Sequence, residues 1–341
     1  MNFVRELDVL GVHAEGEIGR VILSGAPEIP GSTMVEKMDY INNVDDEILR
    51  LALYEPRGAS QMTINLLVPP TSEHADTGFI PMQADGAHAM SGSNAMCVAT
   101  ALLETGAMTM QEPETVVVLD TPAGLVRARA RCRNGKVERV EIAMPASFVE
   151  HLDCPVEVDG VGTLAVDVAF GGCYFALIDA GSLGFEIARH EARDLVDMGN
   201  RIKRAAVEQV AVNHPTIPAF DRVEYPMFVA GQEQSIVNAT VIYPGRLDRS
   251  PCGTGTAARM AVMYARGEIG ISEVVSSRSI IGSEFRTRID GLARCGHRRA
   301  VEPALSGRAW VYGSMKLGAH PLDPYPLGFT LSDTWGEGTP R

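Results

Sequence analysis

Residues 91–106, SGSNAMCVATALLETG, and residues 252–267, CGTGTAARMAVMYARG, are one device written twice. Each copy opens on a hydroxyl or a thiol, Ser91 or Cys252. Each then passes through small residues, Gly92, Ser93 and Asn94 in the first and Gly253, Thr254 and Gly255 in the second, and enters a short helix. Gly106 and Gly267 fall in register as the residues that stop those helices. A helix N-terminus offers unpaired backbone N–H groups and a partial positive charge, so each copy can hold an anion beside its opening side chain. Two such ends facing one pocket would put Ser91 and Cys252 on opposite sides of a single carboxylate substrate.

The rest of the chain sets limits on that reading. Its 341 residues are enough for two domains of ordinary size, and 45% hydrophobic content with few aromatics describes a soluble globular protein. Acidic residues number 43 against 30 basic ones, a net charge of −13 that opposes attraction to nucleic acid or an anionic membrane. The opening MNFVRELDVLGVHAEGEIGR has charges spread through it, which excludes a signal peptide or membrane anchor. Cys97, Cys132, Cys154, Cys173, Cys252 and Cys295 show no Cys-x-x-Cys spacing, which points to reduced thiols in the cytoplasm and away from a metal site.

Strands and helices alternate along the chain. The patterns predict strands at Ile18–Leu23, Met62–Val68 and Thr115–Leu119, and a helix over Thr33–Leu53. Val126–Cys132 and Val137–Ile142 flank Asn134-Gly135, the strongest hairpin signal present. A domain boundary is expected near Cys154–Gly162, where Pro, Gly and acidic residues gather. Beyond it the expectations are a strand over Val166–Asp179, a helix over Glu191–Val210, and strands at Ser235–Ile242, Arg278–Phe285 and Ala309–Tyr312. The tail from Pro321 reads as surface or as a return to the first half.

Nucleotide-binding and hydrolase motifs fit the paired segments less well. Gly253-Thr-Gly255-Thr-Ala-Ala258 matches a loose dinucleotide fingerprint, but the segment before it, Tyr243–Pro251, holds two prolines and several charges where a strand is wanted. No Lys follows to make a phosphate loop. Met90-Ser91-Gly92-Ser93 is not a nucleophile elbow. Taken alone, Ser91 is an ordinary N-cap and Cys252 a small buried residue. Their equivalent places in a repeat lift both above those readings.

Asp248-Arg-Ser-Pro-Cys252-Gly-Thr-Gly-Thr256 resembles the signature of the proline racemase family, which includes hydroxyproline 2-epimerases and trans-3-hydroxyproline dehydratases. The likeness extends through His13-Ala-Glu15-Gly16, Tyr54-Glu-Pro-Arg-Gly58, Pro69-Pro-Thr71, Leu119-Asp-Thr-Pro-Ala-Gly-Leu125, Asn213-His-Pro215 and Ser279-Ile-Ile-Gly-Ser283, all in the expected order. The resemblance implies an α/β (α+β) fold of two similar domains, like that of diaminopimelate epimerase, each with a central helix wrapped by a mostly antiparallel sheet. On this chain the halves would run over 1–155 and 160–317, with the tail 318–341 joining the first. It also implies cofactor-free chemistry in which one side chain removes the Cα proton of an imino acid and another returns a proton to the opposite face.

In the racemases both of those side chains are cysteines. Here the first position is Ser91, the neighbouring family His is Ser93 and the next Gly is Asn94, while the second half keeps the family pattern. By the resemblance, Asp248 anchors the ring ammonium. The N–H groups around Ser93–Asn94 and Thr254–Thr256 are candidates to stabilise the charged carboxylate. A thiol becomes a useful base when a helix N-terminus lowers its pKa, and Cys252 fits that description better than Ser91. His88 is a further candidate to line the pocket, and Cys173 a candidate wall.

Three functions follow. The favoured one is a 2-epimerase acting on hydroxyproline. The second is a dehydratase in which Cys252 takes the α-proton and a 3-hydroxyl leaves as water. The third is a family member that binds an imino acid without turning it over. No metal, nucleic-acid or membrane partner is expected, and a homodimer is compatible with the sequence.

Overall fold

The computed structural model describes residues 3, 5–218 and 220–336. It is a mixed α/β structure of two compact units. One comprises the residues up to Ile142 together with those from Gly307, and the other is Ala143–Ser306.

In the first unit the N-terminal strand Glu6–Ala14 pairs antiparallel with Ala309–Gly318 from the far end of the chain. The strand expected over Ile18–Leu23 is broken at Gly19 into Glu17–Ile18 and Arg20–Ser24. Helix α1 (Met34–Asn43) starts from a capping box, in which Glu36 N–H donates to Thr33 Oγ1 and Thr33 N–H to the Glu36 carboxylate. The single helix expected over Thr33–Leu53 is in fact two. Asp45 accepts the Glu47 N–H and so starts α2 (Glu47–Leu53) afresh after a three-residue break.

Helix α3 (Gly92–Glu104) is buried on every side from Gly92 to Leu103. It packs against Glu6–Ala14, Arg20–Ser24, Gly124–Arg133 and Ala309–Gly318. A helix buried all round, with apolar residues on every face, belongs at the centre of such a wrapping. Strands Gly124–Arg133 and Lys136–Ala143 form the expected hairpin, with Asn134 and Gly135 both at positive φ (52° and 69°), as a type I′ turn requires.

The second unit repeats the plan. Strands Phe148–Val158 and Gly162–Phe170 pair antiparallel, so Cys154–Gly162 lies in strand and hairpin turn. The strand expected over Val166–Asp179 folds back at Gly171-Gly172-Cys173, and Tyr174–Asp179 pairs antiparallel with the strand before it. Helix α4 (Ala192–Gln209) buries Leu195, Gly199, Ile202 and Ala206 along one face. Ser235–Ile242 is a strand as expected. The segment Arg278–Phe285 is not one strand. Val275–Ser279 and Glu284–Cys295 run antiparallel about a tight turn that closes with Gly282 N–H on Ser279 O. Helix α5 (Gly253–Ala265), buried from Gly253 to Met263, is the counterpart of α3 and packs against Phe148–Val158, Gly162–Phe170, Tyr174–Asp179 and Glu284–Cys295.

Gly106 and Gly267 follow the two central helices with φ of 76° and 74°, the left-handed stop read from the sequence. Among the described residues no helix is long and apolar enough to cross a membrane.

The tail lies on the first unit. Phe329 and Glu55 exchange backbone hydrogen bonds, Arg57 binds Asp323 and the carbonyls of Tyr325 and Pro326, and the fully buried Trp335 donates from Nε1 to Glu55 Oε1 at 2.7 Å. Trp335 also meets Tyr54 edge to face. Trp335→Ala should therefore destabilise the first unit by about 3–5 kcal/mol, the usual effect of emptying a buried indole site. Calorimetry would register it as a lower unfolding midpoint, and an unchanged midpoint would mean that the tail is not part of that unit's core.

Candidate active site

Ser91 is the N-cap of α3, in relaxed extended backbone (φ −148°, ψ 124°). Its Oγ lies 3.5 Å from the Asn94 backbone nitrogen, a long contact, and accepts a better hydrogen bond of 2.8 Å from the Asn94 side-chain amide. Ser93 Oγ is 3.3 Å away. Gly92, Ser93 and Asn94 are buried in the first turn. The Asn94 Oδ1 accepts from the Nδ2 of Asn65, a buried asparagine on strand Ile64–Val68. Gly19 is glycine because a Cβ there would sit 2.6 Å from Asn94 Oδ1 and 2.8 Å from Cys97 Sγ. His88 Nε2 is 3.0 Å from Asp85 Oδ1, and its backbone N–H donates to Pro81 O.

Cys252 is the N-cap of α5, but its backbone is strained, with φ 65° and ψ 107°. A non-glycine residue at such angles costs on the order of 1–3 kcal/mol and persists only where its surroundings impose it. Those surroundings are visible. Asp248 Oδ1 accepts from both the N–H and the Oγ of Ser250 at 2.8 Å, and Ser250 Oγ accepts the Cys252 N–H at 3.1 Å.

On the other side the buried Asn238 donates to Pro251 O, Thr256 Oγ1 and Ser277 Oγ. Its Oδ1 is gripped at 2.8 Å by Arg259 Nη1, and the two Nη groups of Arg259 also donate to the carbonyls of Val237, Ala230 and Gly231. Gly171 approaches α5 so closely that a Cβ would lie 2.2 Å from Thr254 O. It does for the second helix what Gly19 does for the first.

The Cys252 Sγ accepts from Gly255 N–H at 3.4 Å and lies 3.9 Å from Thr254 Oγ1. It is buried in a cluster with Phe175, Tyr225, Met227 and Ala258, against which Cys173 also packs. Here the structure corrects the sequence expectation of a lowered thiol pKa. Burial pushes Cys252 up to about 12 and the Asp248 carboxylate adds to the rise, while the Thr240 hydroxyl, Gly255 N–H and Thr254 hydroxyl pull the other way. The helix terminus acts as foreseen but is outweighed by the loss of water around a developing thiolate.

Sequence reasoning did not single out Asn65, Asn238, Ser250 or Arg259. A signal for the asparagines was present, since INLLV at 64–68 and SIVNATVI at 235–242 each carry one amide inside an apolar strand. A buried amide in such a place must be hydrogen-bonded to something specific.

The sequence matches the family model described as proline racemase over residues 9–330. The 4-hydroxyproline 2-epimerase of Rhizobium etli is 43% identical over 339 residues, 98% of each chain, and that of Agrobacterium fabrum is 42% identical with the same coverage. The crystal structure of a hydroxyproline epimerase from Agrobacterium vitis with bound trans-4-hydroxy-L-proline superposes with a TM-score of 0.94 at 42% identity, over 99% of both chains.

The buried, protonated thiol makes a prediction for the ligand-free protein. Between about pH 6 and 10, thiolate absorbance attributable to Cys252, taken as the difference from Cys252→Ala, should be absent. Asp248→Asn removes one of the groups that raise the thiol and should bring that absorbance in at lower pH. A thiolate already present in the parent at neutral pH would refute this account of the site.

Proposed function

The chain belongs to the proline racemase family, and we propose that within it the protein is a cofactor-independent isomerase that inverts Cα of 4-hydroxyproline, with Ser91 and Cys252 as the proton-exchanging pair. The observation that carries the substrate is the near-complete alignment with 4-hydroxyproline 2-epimerases, together with a fold that matches one holding trans-4-hydroxy-L-proline. What supports the two residues is their place as the N-caps of the two buried central helices.

The Cα proton of an imino acid is weakly acidic because its removal loads charge onto the adjoining carboxylate. In the proposal the first-turn N–H groups of Ser93 and Thr254 take up that charge, where preorganised donors are worth most. Of the other candidates read from the sequence, Thr256 N–H is bonded to Cys252 O, and the Asn94 and Gly255 N–H groups face the N-cap side chains. Asp248 pairs with the ring ammonium. That cation offsets the carboxylate charge that helps keep Cys252 protonated, so binding itself eases formation of the thiolate.

Inversion requires loss and gain of the proton on opposite faces. In one direction Cys252 first releases its proton to solvent. The Cα–H bond then breaks as an S–H bond forms on the thiolate, and the Ser91 O–H bond breaks as a C–H bond forms on the other face of Cα. Product then leaves behind a protonated thiol and a deprotonated hydroxyl, and turnover in the opposite direction or exchange with solvent resets them.

Incubation with trans-4-hydroxy-L-proline in deuterium oxide tests this. The expected product is the C2 epimer carrying deuterium at Cα, whereas a pyrroline product would make the enzyme a dehydratase and neither would leave only binding. Cys252→Ala should abolish turnover and α-exchange. Ser91→Ala should stop inversion yet retain exchange at the Cys252 face. Asp248→Asn should raise KM tenfold or more, the equivalent of a charge-assisted bond of about 1.5–3 kcal/mol. Full epimerisation by Ser91→Ala would remove Ser91 from the mechanism.

A further inference from the structure

A hydroxyl is a far weaker acid than a thiol, so a serine that must alternate between proton donor and acceptor needs a fixed donor aimed at its oxygen. The backbone of α3 supplies a poor one, since Asn94 N lies 3.5 Å from Ser91 Oγ. We infer that the Asn94 side-chain amide is a catalytic partner of Ser91, donating to the oxygen that gains and loses the proton, and that Asn65 is the positioning residue that holds it. This rests on the reading of Ser91 proposed above and concerns the side chain of Asn94, not its backbone.

The direction of the hydrogen-bond chain is fixed at its far end. Asn65 Nδ2 donates to the carbonyl of Arg20 at 3.1 Å and to Asn94 Oδ1 at 2.9 Å. A backbone carbonyl can only accept, so the NH2 of Asn65 must face it. Asn94 must then turn its oxygen to Asn65 and its NH2 to Ser91 Oγ, 2.8 Å away. A flipped Asn65 would set its oxygen against the Arg20 carbonyl, and the observed orientation holds although it leaves the buried Asn65 Oδ1 without a partner among the described residues.

Two consequences follow for Ser91. Its oxygen already accepts from Asn94, so its own proton points away from that amide, toward Ser93 Oγ at 3.3 Å or toward a reacting atom. When the proton has gone, the same amide steadies the oxyanion without reorganisation. Gly19 guards the arrangement, because any side chain there would collide with Asn94 Oδ1.

The test separates the two faces of the substrate. Asn94→Ala removes the donor, and Asn94→Asp replaces it with an acceptor that captures the Ser91 proton. Both should slow inversion by about 10²-fold or more, as loss of an oxyanion donor does, with Asn94→Asp the slower. Deuterium wash-in at the Cys252 face should persist within a few fold, which also shows that the variants are folded. Asn65→Leu should give the same face-specific defect. In a Ser91→Cys background Asn94→Ala should have little effect, because a thiol with a reference pKa of about 8.5 does not need the amide.

Equal loss at both faces, unchanged inversion, or the same loss in the Ser91→Cys background would overturn the inference. A parent protein that neither inverts nor exchanges an imino acid would instead overturn the functional reading beneath it.

Discussion

The structure depends on one constraint repeated in both units, a helix N-terminus buried at the centre of a wrapped sheet. Buried N–H groups without partners are costly, and the first turn of a helix has several. Ser91 and Cys252 each cover one such group with their own side chains, through Asn94 N and Gly255 N. Ala95 N and Thr256 N close onto the N-cap carbonyls, and in the proposed function Ser93 N and Thr254 N face the substrate carboxylate. A fold that must leave polar donors waiting in its interior has to hold them rigidly, and both units do so with a buried asparagine from a neighbouring strand. Asn65 acts on a side chain of α3, whereas Asn238 acts on the carbonyl just before the N-cap of α5.

That difference sets the character of each half. At Ser91 the backbone is relaxed, and the constraint falls on side chains, through Asn65 and Asn94. At Cys252 the backbone itself is forced to positive φ, held from one side by Asp248 and Ser250 and from the other by Asn238 and Arg259. Arg259 is buried with backbone carbonyls and one amide as its acceptors, and desolvation lowers its pKa to about 10. A cation kept charged in such surroundings is an expensive clamp, which fits a position where strain has to be contained.

The paired motif was legible because it combines local signals that work through nearest neighbours: an N-cap, small residues in the first turn and a glycine stop. The same holds for the Asn134-Gly135 hairpin and for strand Ser235–Ile242. Two of the strand expectations fail where tertiary contact overrides local pattern. Ile18–Leu23 reads as one strand because nothing in that string reports that Asn94 and Cys97 will fill the space beside Gly19. Val166–Asp179 reads as one strand because the return at Gly171-Gly172 is dictated by the approach to Thr254. The long helix over Thr33–Leu53 failed for a local reason, the competition of Asp45 for the Glu47 N–H.

The expectation of a lowered thiol pKa fails for a different reason, and the difference bears on how the proposed chemistry is controlled. A helix dipole can be read from sequence and burial cannot, and at Cys252 burial dominates. The thiol is therefore protonated while the site is empty, and since the thiolate is the species that oxidants attack, it is also comparatively inert. In the proposed reaction the ligand supplies what the protein withholds. The ring ammonium meets Asp248, the carboxylate that otherwise helps to keep the proton on sulfur. Activation of Cys252 is then coupled to occupancy by a cationic imino acid. On the proposed mechanism an anion lacking the ammonium would leave the Asp248 charge uncompensated and the thiol protonated, so selection for the zwitterion would act through the proposed base itself.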